Sequence, residues 1–286
     1  MDDDRRRLSV VIPAHNESSG IQRLLGALRA GDHPDMELIV VCNGCTDDTA
    51  ARAREVSPSV VVIEVPEPSK SAALAVGDRI ASHEYRAWID ADVVISAADV
   101  VRLVGALNGA IQVAAPEREL VLADASPIVR WYYDVWRELP QVGAGMFGRG
   151  VMVMTPEGHS RVVALPRVMS DDLAVSEAFR PDERVVVPEA RVQIRGPRRL
   201  ADLIRRRVRV ATGNAQLDDM GLRAQSARTT PAVLIRLAVS RPALAPRMLA
   251  FVGVTVVARL QARRRVRSGD FSTWLRDESS RESSQA

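Results

Sequence analysis

The apolar positions in the N-terminal half of the chain fall into short runs separated by longer stretches with helical spacing. The runs are rich in β-branched residues, as buried parallel strands are, and they read LSVVIP (8–13), ELIVV (37–41), VVVIEV (60–65) and YRAWID (85–90). The Ala- and Arg-rich stretches between them predict helices over 17–30, 47–56 and 70–83. This alternation predicts an α/β fold with a Rossmann-like, mostly parallel central sheet flanked by helices.

A polar cluster follows each predicted strand. In chain order the clusters are PAHNE, CNGCTDD, EPSKS and DAD. The carboxyl ends of parallel strands meet at one edge of a sheet, and ligands of open α/β sheets bind outside that edge. The pattern therefore predicts one binding site built from these loops.

The second half of the chain is less regular. Helices are expected at 126–139, with an aromatic face, at 170–179, with acids in its first turn, and at 197–214, which is strongly basic. The segment VGAGMFGRGVMVMT (142–155) predicts a glycine-rich loop that runs into a strand. After Gly213 come two proline-containing apolar stretches, a basic run and a polar tail that we predict to be disordered.

Positive charge is concentrated toward the C-terminus. The net charge is +3, but residues 195–267 contain 17 Arg against three acids, a balance of +14 that leaves 3 − 14 = −11 for the rest. This asymmetry predicts an anionic partner for the C-terminal part, which could be phosphate groups, nucleic acid or an anionic membrane surface.

Neither the cysteines nor the N-terminus indicates an exported protein. Cys42 and Cys45 are too few for a disulfide framework or a structural zinc site, so they are either small residues of a tight loop or a redox pair. The start of the chain is charged and lacks the apolar stretch of a signal peptide. The longest apolar run, 248–258, is shorter than the roughly 20 residues of a spanning helix. We therefore expect a cytoplasmic protein.

Two carboxylates at the end of the fourth predicted strand are the first candidates for chemistry. Asp90 and Asp92 lie two positions apart, so their side chains share one face of an extended chain. Burying unpaired carboxylates is costly, whereas a divalent cation accepts such ligands and keeps water or phosphate at its other positions. The pair predicts a metal site, with turn capping as the alternative.

Further charged residues fit the same site. Asp172, in SDDL, is a candidate general base, although acids are also common in a first helical turn. Arg206 and Arg209 lie one helical turn apart and can face one phosphate group, or they belong to a solvated basic helix. Lys70 opens a predicted helix, where the dipole disfavours a cation. It is therefore expected beside an anionic ligand, unless it is an ordinary surface lysine.

Together these motifs resemble family 2 inverting glycosyltransferases, which have the GT-A fold. VVIPAHNE, VVCNGCTDDT, KSAALAVG, WIDADV, SDDLAVSEAF and RRRVRVATGN occur in the family's order and at fitting distances, over about residues 8–215. The resemblance implies a GT-A domain over 1–215, with a nucleotide-sugar half (1–115) and an acceptor half (116–215). A helical basic segment (216–270) and the polar tail (271–286) would follow.

The resemblance implies that the first two loops bind the nucleoside. The residues that would line this pocket are Pro13, Ala14, Asn16, Glu17, Asn43 and Asp47. The family often has an acidic pair where this chain has Cys42 and Asn43, and an amide can both donate and accept, so the preferred base stays open. Lys70 would lie in a loop that closes over the nucleotide.

The resemblance also assigns the metal and the base. Asp90 and Asp92 match the D-x-D motif, whose carboxylates bind Mg²⁺ or Mn²⁺ and the sugar nucleotide. Asp172 matches the second acid of the family's E-D motif, which is the catalytic base.

The last motif differs from the family pattern. Arg206 and Arg209 resemble a Q-x-x-R-W motif near the diphosphate, with arginine in place of the Gln and Val210 in place of the Trp. That Trp lies near the acceptor in processive relatives, so we expect a non-processive enzyme.

The predicted function is metal-dependent, inverting transfer of a sugar from a UDP-, GDP- or dTDP-sugar to the hydroxyl of a lipid-linked or cell-envelope acceptor. A sugar-phosphate nucleotidyltransferase is one alternative, but it typically has a glycine-rich basic loop where this chain has PAHNE. A non-catalytic nucleotide- or nucleic-acid-binding protein is another. Few aromatics interleave with the arginines, so we expect no nucleic acid partner.

The C-terminal segment predicts peripheral contact with an anionic membrane. MLAFVGVTVVARLQARRRVR (248–267) joins a short apolar run to a basic flank, as interfacial helices do. A buried helix with a solvated end would have the same pattern. GAGMFG and the aromatic helix 131–136 would form the acceptor side, although core packing would explain the aromatic residues equally well.

Overall fold

The β-branched runs of the N-terminal half form the first strands of a single sheet. The computed structural model describes residues 6–31, 33, 35–166, 168, 171–223 and 228–268. Within these residues the strands are β1 (Leu8–Ala14), β2 (Met36–Asn43), β3 (Val61–Val65), β4 (Tyr85–Ile89), β5 (Val93–Ile95), β6 (Val113–Val121), β7 (Val151–Met154) and β8 (Arg184–Arg195).

Helices cover both faces of this sheet and form the C-terminal part. In the described part of the chain they are α1 (Ser18–Arg29), α2 (Thr49–Val56), α3 (Lys70–Ile80), α4 (Ala97–Ala106), α5 (Pro127–Trp136), α6 (Pro140–Ala144), α7 (Pro156–Val163), α8 (Asp171–Ala178), α9 (Leu200–Asp219), α10 (Pro231–Ser240) and α11 (Ala245–Arg267). A 3₁₀ turn, Pro242–Leu244, joins α10 to α11.

The strand order is β3-β2-β1-β4-β7-β6-β8-β5. Strands β1 to β4 pair in parallel, as do β6 and β8, whereas β7 runs antiparallel to both β4 and β6, and β5 runs antiparallel to β8. The predicted α/β fold with a mostly parallel sheet is confirmed. The antiparallel strands are the part that the hydrophobic pattern did not predict.

The apolar residues of β1 and α1 are the ones that the fold buries. Every residue of β1 is buried, because helices cover both faces of the sheet at this strand. Helix α1 buries Ile21, Leu24, Leu25 and Leu28, one apolar stripe at helical spacing, against the main core.

The antiparallel strand β7 brings the glycine-rich loop to the predicted site. Ile89, the last residue of β4, pairs with Val151, the first residue of β7. The backbone N–H of Asp90 donates to the Gly150 carbonyl at 2.8 Å. The loop that precedes β7 therefore ends beside the acids that follow β4.

A second core joins the C-terminal helices to α5. Tyr132 of α5 stacks on Phe251 of α11, with ring centroids 5.0 Å apart. Leu203 of α9 and Leu237 of α10 are buried in the same cluster. Helix α9 continues past the predicted end at residue 214 and across position 215, where the sequence pattern placed a domain boundary. The tail 271–286 lies outside the described residues, and its predicted disorder stays a prediction.

The C-terminal helix is longer than its uninterrupted apolar run. Among the described residues, Pro242–Arg267 is the one helical segment long and apolar enough to cross a membrane, by length and composition alone. The run 248–258 is shorter than a span, but the helical segment that contains it begins earlier, at Pro242, and ends later, at Arg267. Length alone does not decide between a spanning helix, an interfacial helix and a core helix.

Candidate active site

The loops that follow β1 and β2 are joined by side-chain hydrogen bonds. Asn43 Nδ2 donates to the Ala14 carbonyl at 2.9 Å, and His15 Nδ1 contacts the Asn43 carbonyl. Asn16 has a left-handed backbone (φ +51°), which Asn tolerates better than most residues. Its Oδ1 accepts the Thr46 N–H at 2.8 Å, which closes one loop onto the other.

A second set of bonds centres on Asp47. Its carboxylate accepts the Thr49 N–H (3.1 Å), the Thr49 hydroxyl and the Ser18 N–H (3.3 Å). Partial burial raises the pKa of Asp47, but these hydrogen bonds outweigh burial and hold it below its usual value. The Thr49 hydroxyl also accepts the N–H of buried Glu17 at 2.8 Å.

The structure thus brings the predicted nucleoside residues to one edge of the sheet, but at different depths. Those that reach the surface are half-buried Asn16 and exposed Asp47. Those buried beneath them are Pro13, Ala14, Glu17 and Asn43. The buried set therefore lies beneath the loops, whereas Asn16 and Asp47 are accessible at the surface.

Lys70 is paired with Asp90. The lysine is the first residue of α3, which Ser69 caps by accepting the Ala72 N–H at 3.2 Å. Lys70 Nζ lies 2.8 Å from Asp90 Oδ1, and both side chains are partly exposed. The anion that the helix-dipole argument demanded beside this lysine is, in this structure, a carboxylate of the protein.

Asp92 is exposed, next to buried Ala91. The turn between β4 and β5 rests on the first turn of α1, where a Cβ on Gly20 would come within 2.8 Å of the Ala91 carbonyl. Glycine therefore lets the D-A-D turn pack closely on α1. No cluster of three or more His, Cys, Asp or Glu side chains suited to a metal occurs within the described residues. A cation held by Asp90 and Asp92 would therefore have at most two carboxylate ligands from this group of described side chains.

The carboxylate of Asp172 is oriented by two backbone amides. Its Oδ2 accepts the Gly148 N–H at 2.6 Å, and its Oδ1 accepts the Leu173 N–H at 2.8 Å. Gly148 has φ +65°, a conformation that favours glycine, and this turns its amide toward the start of α8. The side chain of Asp171, the other acid of this motif, lies outside the described set.

Arg209 connects the predicted acids to one another. Burial and the neighbouring Arg206 lower its pKa, while Asp92, Asp172 and Asp90 act in the opposite direction. A single guanidinium of α9 therefore lies within electrostatic reach of carboxylates from the end of β4 and from α8.

Two further arginines were not singled out from the sequence. Arg149 is fully buried and donates to the carbonyls of Pro116 (2.9 Å), Gly143 (2.9 Å) and Gly145 (3.1 Å). It holds the glycine-rich loop against β6. Its position in GRG could have marked it, because it is the one charged residue inside the apolar and glycine-rich segment 142–155.

Arg118 of β6 lies on the other side of this loop. Its Nη2 donates to the Val142 carbonyl at 2.7 Å, and its guanidinium lies 4.8 Å from the centre of the Trp136 ring. Burial and then Arg149 lower its pKa to about 9, partly opposed by Glu117 and Asp172. Arg118 is therefore a second half-buried cation, after Arg209, within electrostatic reach of Asp172.

Residues 9–131 match the family model described as Glycosyl transferase family 2, so the resemblance seen in the motifs is confirmed over this region. Uncharacterized glycosyltransferases of Mycobacterium tuberculosis and Mycobacterium bovis are 36% identical over 101 residues, which cover 35% of this chain and 44% of those proteins. The chain thus spans less than half the length of these curated relatives.

Solved structures extend the similarity to the fold. A mannosyltransferase from Pyrobaculum calidifontis, in complex with GDP-Man and Mn²⁺, superposes with a TM-score of 0.59 at 20% identity, over 94% of this chain and 77% of that one. Glucosyl-3-phosphoglycerate synthase from Mycobacterium tuberculosis, in complex with Mn²⁺ and UDP-glucose, gives 0.53 at 22% identity, over 77% and 81%. The predicted GT-A fold is confirmed.

We expect Gly150→Ala to lower the free energy of unfolding by about 1–3 kcal/mol. Gly150 has φ +67°, and a Cβ there would lie 2.7 Å from Val93 Cγ1 and 3.2 Å from Asp90 Oδ2. Urea denaturation followed by circular dichroism measures the loss. Gly143→Ala, in the same region but with nothing within 4 Å of its Cβ, is the matched control and should not destabilise. Equal stability of the two variants would contradict the steric argument.

Proposed function

We propose that this chain, whose residues 9–131 match family 2 glycosyltransferases, transfers a sugar from a nucleoside-diphosphate sugar to an acceptor hydroxyl with a divalent cation. The observation that carries the proposal is the position of Arg209 within electrostatic reach of Asp90, Asp92 and Asp172. A diphosphate complements this arrangement, because it binds a cation held by the strand-end acids and also accepts hydrogen bonds from arginine.

The similar solved structures support the choice of ligands. The mannosyltransferase was solved with GDP-Man and Mn²⁺, and the glucosyl-3-phosphoglycerate synthase with UDP-glucose and Mn²⁺. We propose that this chain likewise takes a UDP-, GDP- or dTDP-sugar together with Mg²⁺ or Mn²⁺.

The residues present fit such a cation. Asp90 and Asp92 offer carboxylate oxygens at the edge of the sheet, and the positive charge of Lys70 already lies 2.8 Å from Asp90 Oδ1. Mg²⁺ and Mn²⁺ commonly take one or two carboxylates and complete their shell with phosphate and water. This suits Asp90 and Asp92, since the described residues contain no cluster of three or more His, Cys, Asp or Glu placed to hold a metal. When bound, the cation would supply Lewis-acid stabilisation of the leaving diphosphate.

The protein's own residues then divide the remaining work. Asp172, oriented by the amides of Gly148 and Leu173, accepts the proton of the acceptor hydroxyl. The hydroxyl oxygen attacks the anomeric carbon opposite the diphosphate, so the configuration inverts in a single displacement. Arg206 and Arg209 stabilise the charge that grows on the departing diphosphate.

The C-terminal helices support a further proposal, that the protein docks on an anionic membrane. On α11, one stripe (Phe251, Val254, Ala258, Ala262) is buried against α5 and α9. A second apolar stripe with similar spacing is exposed, and it consists of Leu249, Val252, Val256 and Leu260. Such an exposed stripe fits a lipid surface better than water.

Charge surrounds this exposed stripe in the pattern of an interfacial helix. Arg259, Arg263, Arg264 and Arg267 are exposed at the C-terminal end of α11. Arginines at this position attract anionic headgroups. On the other side, Arg247 pairs with Asp134 of α5 at 2.9 Å, which anchors the helix to the protein. Docking in this orientation would present the site to an acceptor carried by a lipid.

The first expected outcome concerns the base. Asp172→Asn should lower sugar transfer by about 10²–10⁴-fold while donor binding persists, because the amide cannot accept the acceptor's proton. Release of nucleoside diphosphate from a donor panel, in the presence of a glycolipid acceptor fraction, measures the rate, and calorimetry measures donor binding. Glu157→Gln, at an exposed acid of α7, is the matched control. A rate near that of the parent protein would remove Asp172 from the mechanism.

The second prediction concerns Lys70, whose ammonium group would compete with a bound cation for the carboxylate of Asp90. Lys70→Met should tighten binding of Mn²⁺ alone by up to about fivefold, since a partly exposed ion pair contributes up to about 1 kcal/mol. The same change should weaken binding of nucleoside diphosphate with Mn²⁺, because the phosphate loses a cationic partner. Titration of Mn²⁺ by electron paramagnetic resonance and calorimetry of the nucleotide measure the two effects.

Asp92→Ala provides the contrast to Lys70→Met, because it should weaken both kinds of binding. Glu64→Ala is the control, since Glu64 is an exposed acid of β3 paired with Arg54 at 2.7 Å. If Lys70→Met and Asp92→Ala moved Mn²⁺ affinity in the same direction, the proposed competition for Asp90 would be wrong.

The third prediction concerns binding to an anionic membrane. Leu249→Asp and Leu260→Asp, both in the exposed stripe of α11, change side chains that are 79% and 53% exposed, so they should leave the fold intact. Each should reduce co-sedimentation with vesicles that contain anionic phospholipid. Val163→Asp, at a 58% exposed position of α7, is the matched control and should bind as the parent protein does. Vesicle binding that all three variants retain equally would reject this docking surface.

A further inference from the structure

Two thiols meet at the pocket predicted for the nucleoside. Cys42 is buried in β2, in register with Ala14 of β1. Cys45 follows the left-handed Gly44 (φ +58°) and is half-buried. Its sulfur lies 3.5 Å from the Ala14 carbonyl and 3.4 Å from the Asn16 backbone nitrogen. Both thiols therefore lie next to one residue, Ala14, in the loop region that joins the first two strands.

Cys45 packs against the core cluster that contains Cys42 and Ala14, and the two thiols differ in acidity. The hydrogen bond from Cys42 lowers the pKa of Cys45 to about 7, with burial opposing it and the Asn16 N–H adding to it. The same hydrogen bond raises the pKa of Cys42. Because the thiolate is the reactive form, Cys45 is the nucleophile and Cys42 the thiol that can resolve it.

We propose that Cys42 and Cys45 form a peroxide-sensitive dithiol whose disulfide closes the turn after β2 and weakens nucleotide binding. The proposal that this disulfide forms depends only on the two thiols and their surroundings. The proposal that it weakens nucleotide binding rests on the proposed function. In a compartment that keeps thiols reduced, disulfides are typically transient and redox-sensing, which fits a pair of free cysteines.

The reaction balances with a hydroperoxide as the oxidant. The Cys45 thiolate attacks one peroxide oxygen, an S–O bond forms, the O–O bond breaks, and the departing hydroxide takes a proton to become water. The Cys42 sulfur then attacks the Cys45 sulfenic acid, an S–S bond forms, and the S–O bond breaks. The hydroxide released takes the Cys42 proton, so that two thiols lose two electrons and one hydrogen peroxide yields two water molecules.

The new bond would disturb the contacts that join the first two loops. A disulfide holds its sulfurs about 2.0 Å apart, much closer than a thiol hydrogen bond, so it draws Cys45 toward Cys42. Cys45 then leaves the amide of Asn16, whose left-handed backbone depends on its neighbours. Thr46, which bonds Asn16 directly, follows Cys45 in the chain and moves with it.

The first experiment detects the bond in the full-length protein. Treatment with hydrogen peroxide should give an intact mass lower by two hydrogen atoms, and peptide mapping should join Cys42 to Cys45. The rate should rise with pH through about 7 and then level off, as the Cys45 thiolate becomes fully populated. Dithiothreitol should restore the starting mass.

Cys42→Ser separates the two steps. This variant should give a Cys45 sulfenic acid that dimedone traps, with no disulfide, whereas Cys45→Ser should react far more slowly. Circular dichroism checks that both variants fold. Addition of oxygen to the parent protein without cross-linking would overturn the proposal, as would equal reactivity of the two variants.

The second experiment measures binding of UDP, GDP and dTDP with Mn²⁺ by calorimetry, before oxidation, after it and after reduction. Oxidation should lower the affinity for the nucleotide by about fivefold or more, as loss of one hydrogen bond would, and reduction should restore the affinity. Unchanged affinity in the cross-linked protein would overturn the regulatory part. If the reduced protein bound no nucleotide, the proposed function would fail, while the mass measurement would still decide whether the disulfide forms.

Discussion

The site depends on the balance between one half-buried arginine, Arg209, and the carboxylates around it. Desolvation opposes the charge of Arg209, and Asp90, Asp92 and Asp172 compensate for it. These groups come from the end of β4, from α8 and from α9, which are far apart in the sequence. The charges that would bind a cation and a diphosphate thus come from three elements of the fold, and removing one of the acids would remove part of the compensation at Arg209.

Much of this arrangement could be predicted from the sequence, because its signals are local. The strands β1 to β4 appear as β-branched runs, and the acids of WIDADV follow a strand directly. Asp172 and Arg209 were predicted as well, since each lies at a fixed place in a helical motif. The structure adds that the acids of WIDADV, Asp172 and Arg209 lie near one another. This proximity depends on the order of the strands in the sheet and not on any single segment.

The parts that could not be predicted depend on pairing between distant segments. The antiparallel direction of β7 follows from its position between β4 and β6, and no pattern within VMVM encodes it. Arg149 and Arg118 were missed for a related reason. Their partners are carbonyls of 116 and 142–145, and a sequence does not show which carbonyls a folded loop will turn inward.

Lys70 shows how a physical argument can be correct while its expected partner changes. The helix dipole disfavours a cation at the start of α3, so an anion was required beside it. The structure supplies Asp90, which the sequence had assigned to a metal. The two assignments are compatible if Lys70 neutralises Asp90 before the ligand arrives and turns to the phosphates when a cation takes its place. A loop that closes over a nucleotide would then be held open by its own lysine.

The uneven distribution of arginine follows from the packing of α9 and α11. Val208 of α9 is buried in one cluster with Ala258 and Ala262 of α11, while Arg206 and Arg209 of α9 interact with one another and with the site. The two roles that we propose for the basic excess of the C-terminal part, phosphate binding and membrane contact, would therefore lie on two neighbouring helices, α9 and α11. Since α9 packs directly on α11, the diphosphate site and the membrane surface that we propose would be joined by this one pair of helices.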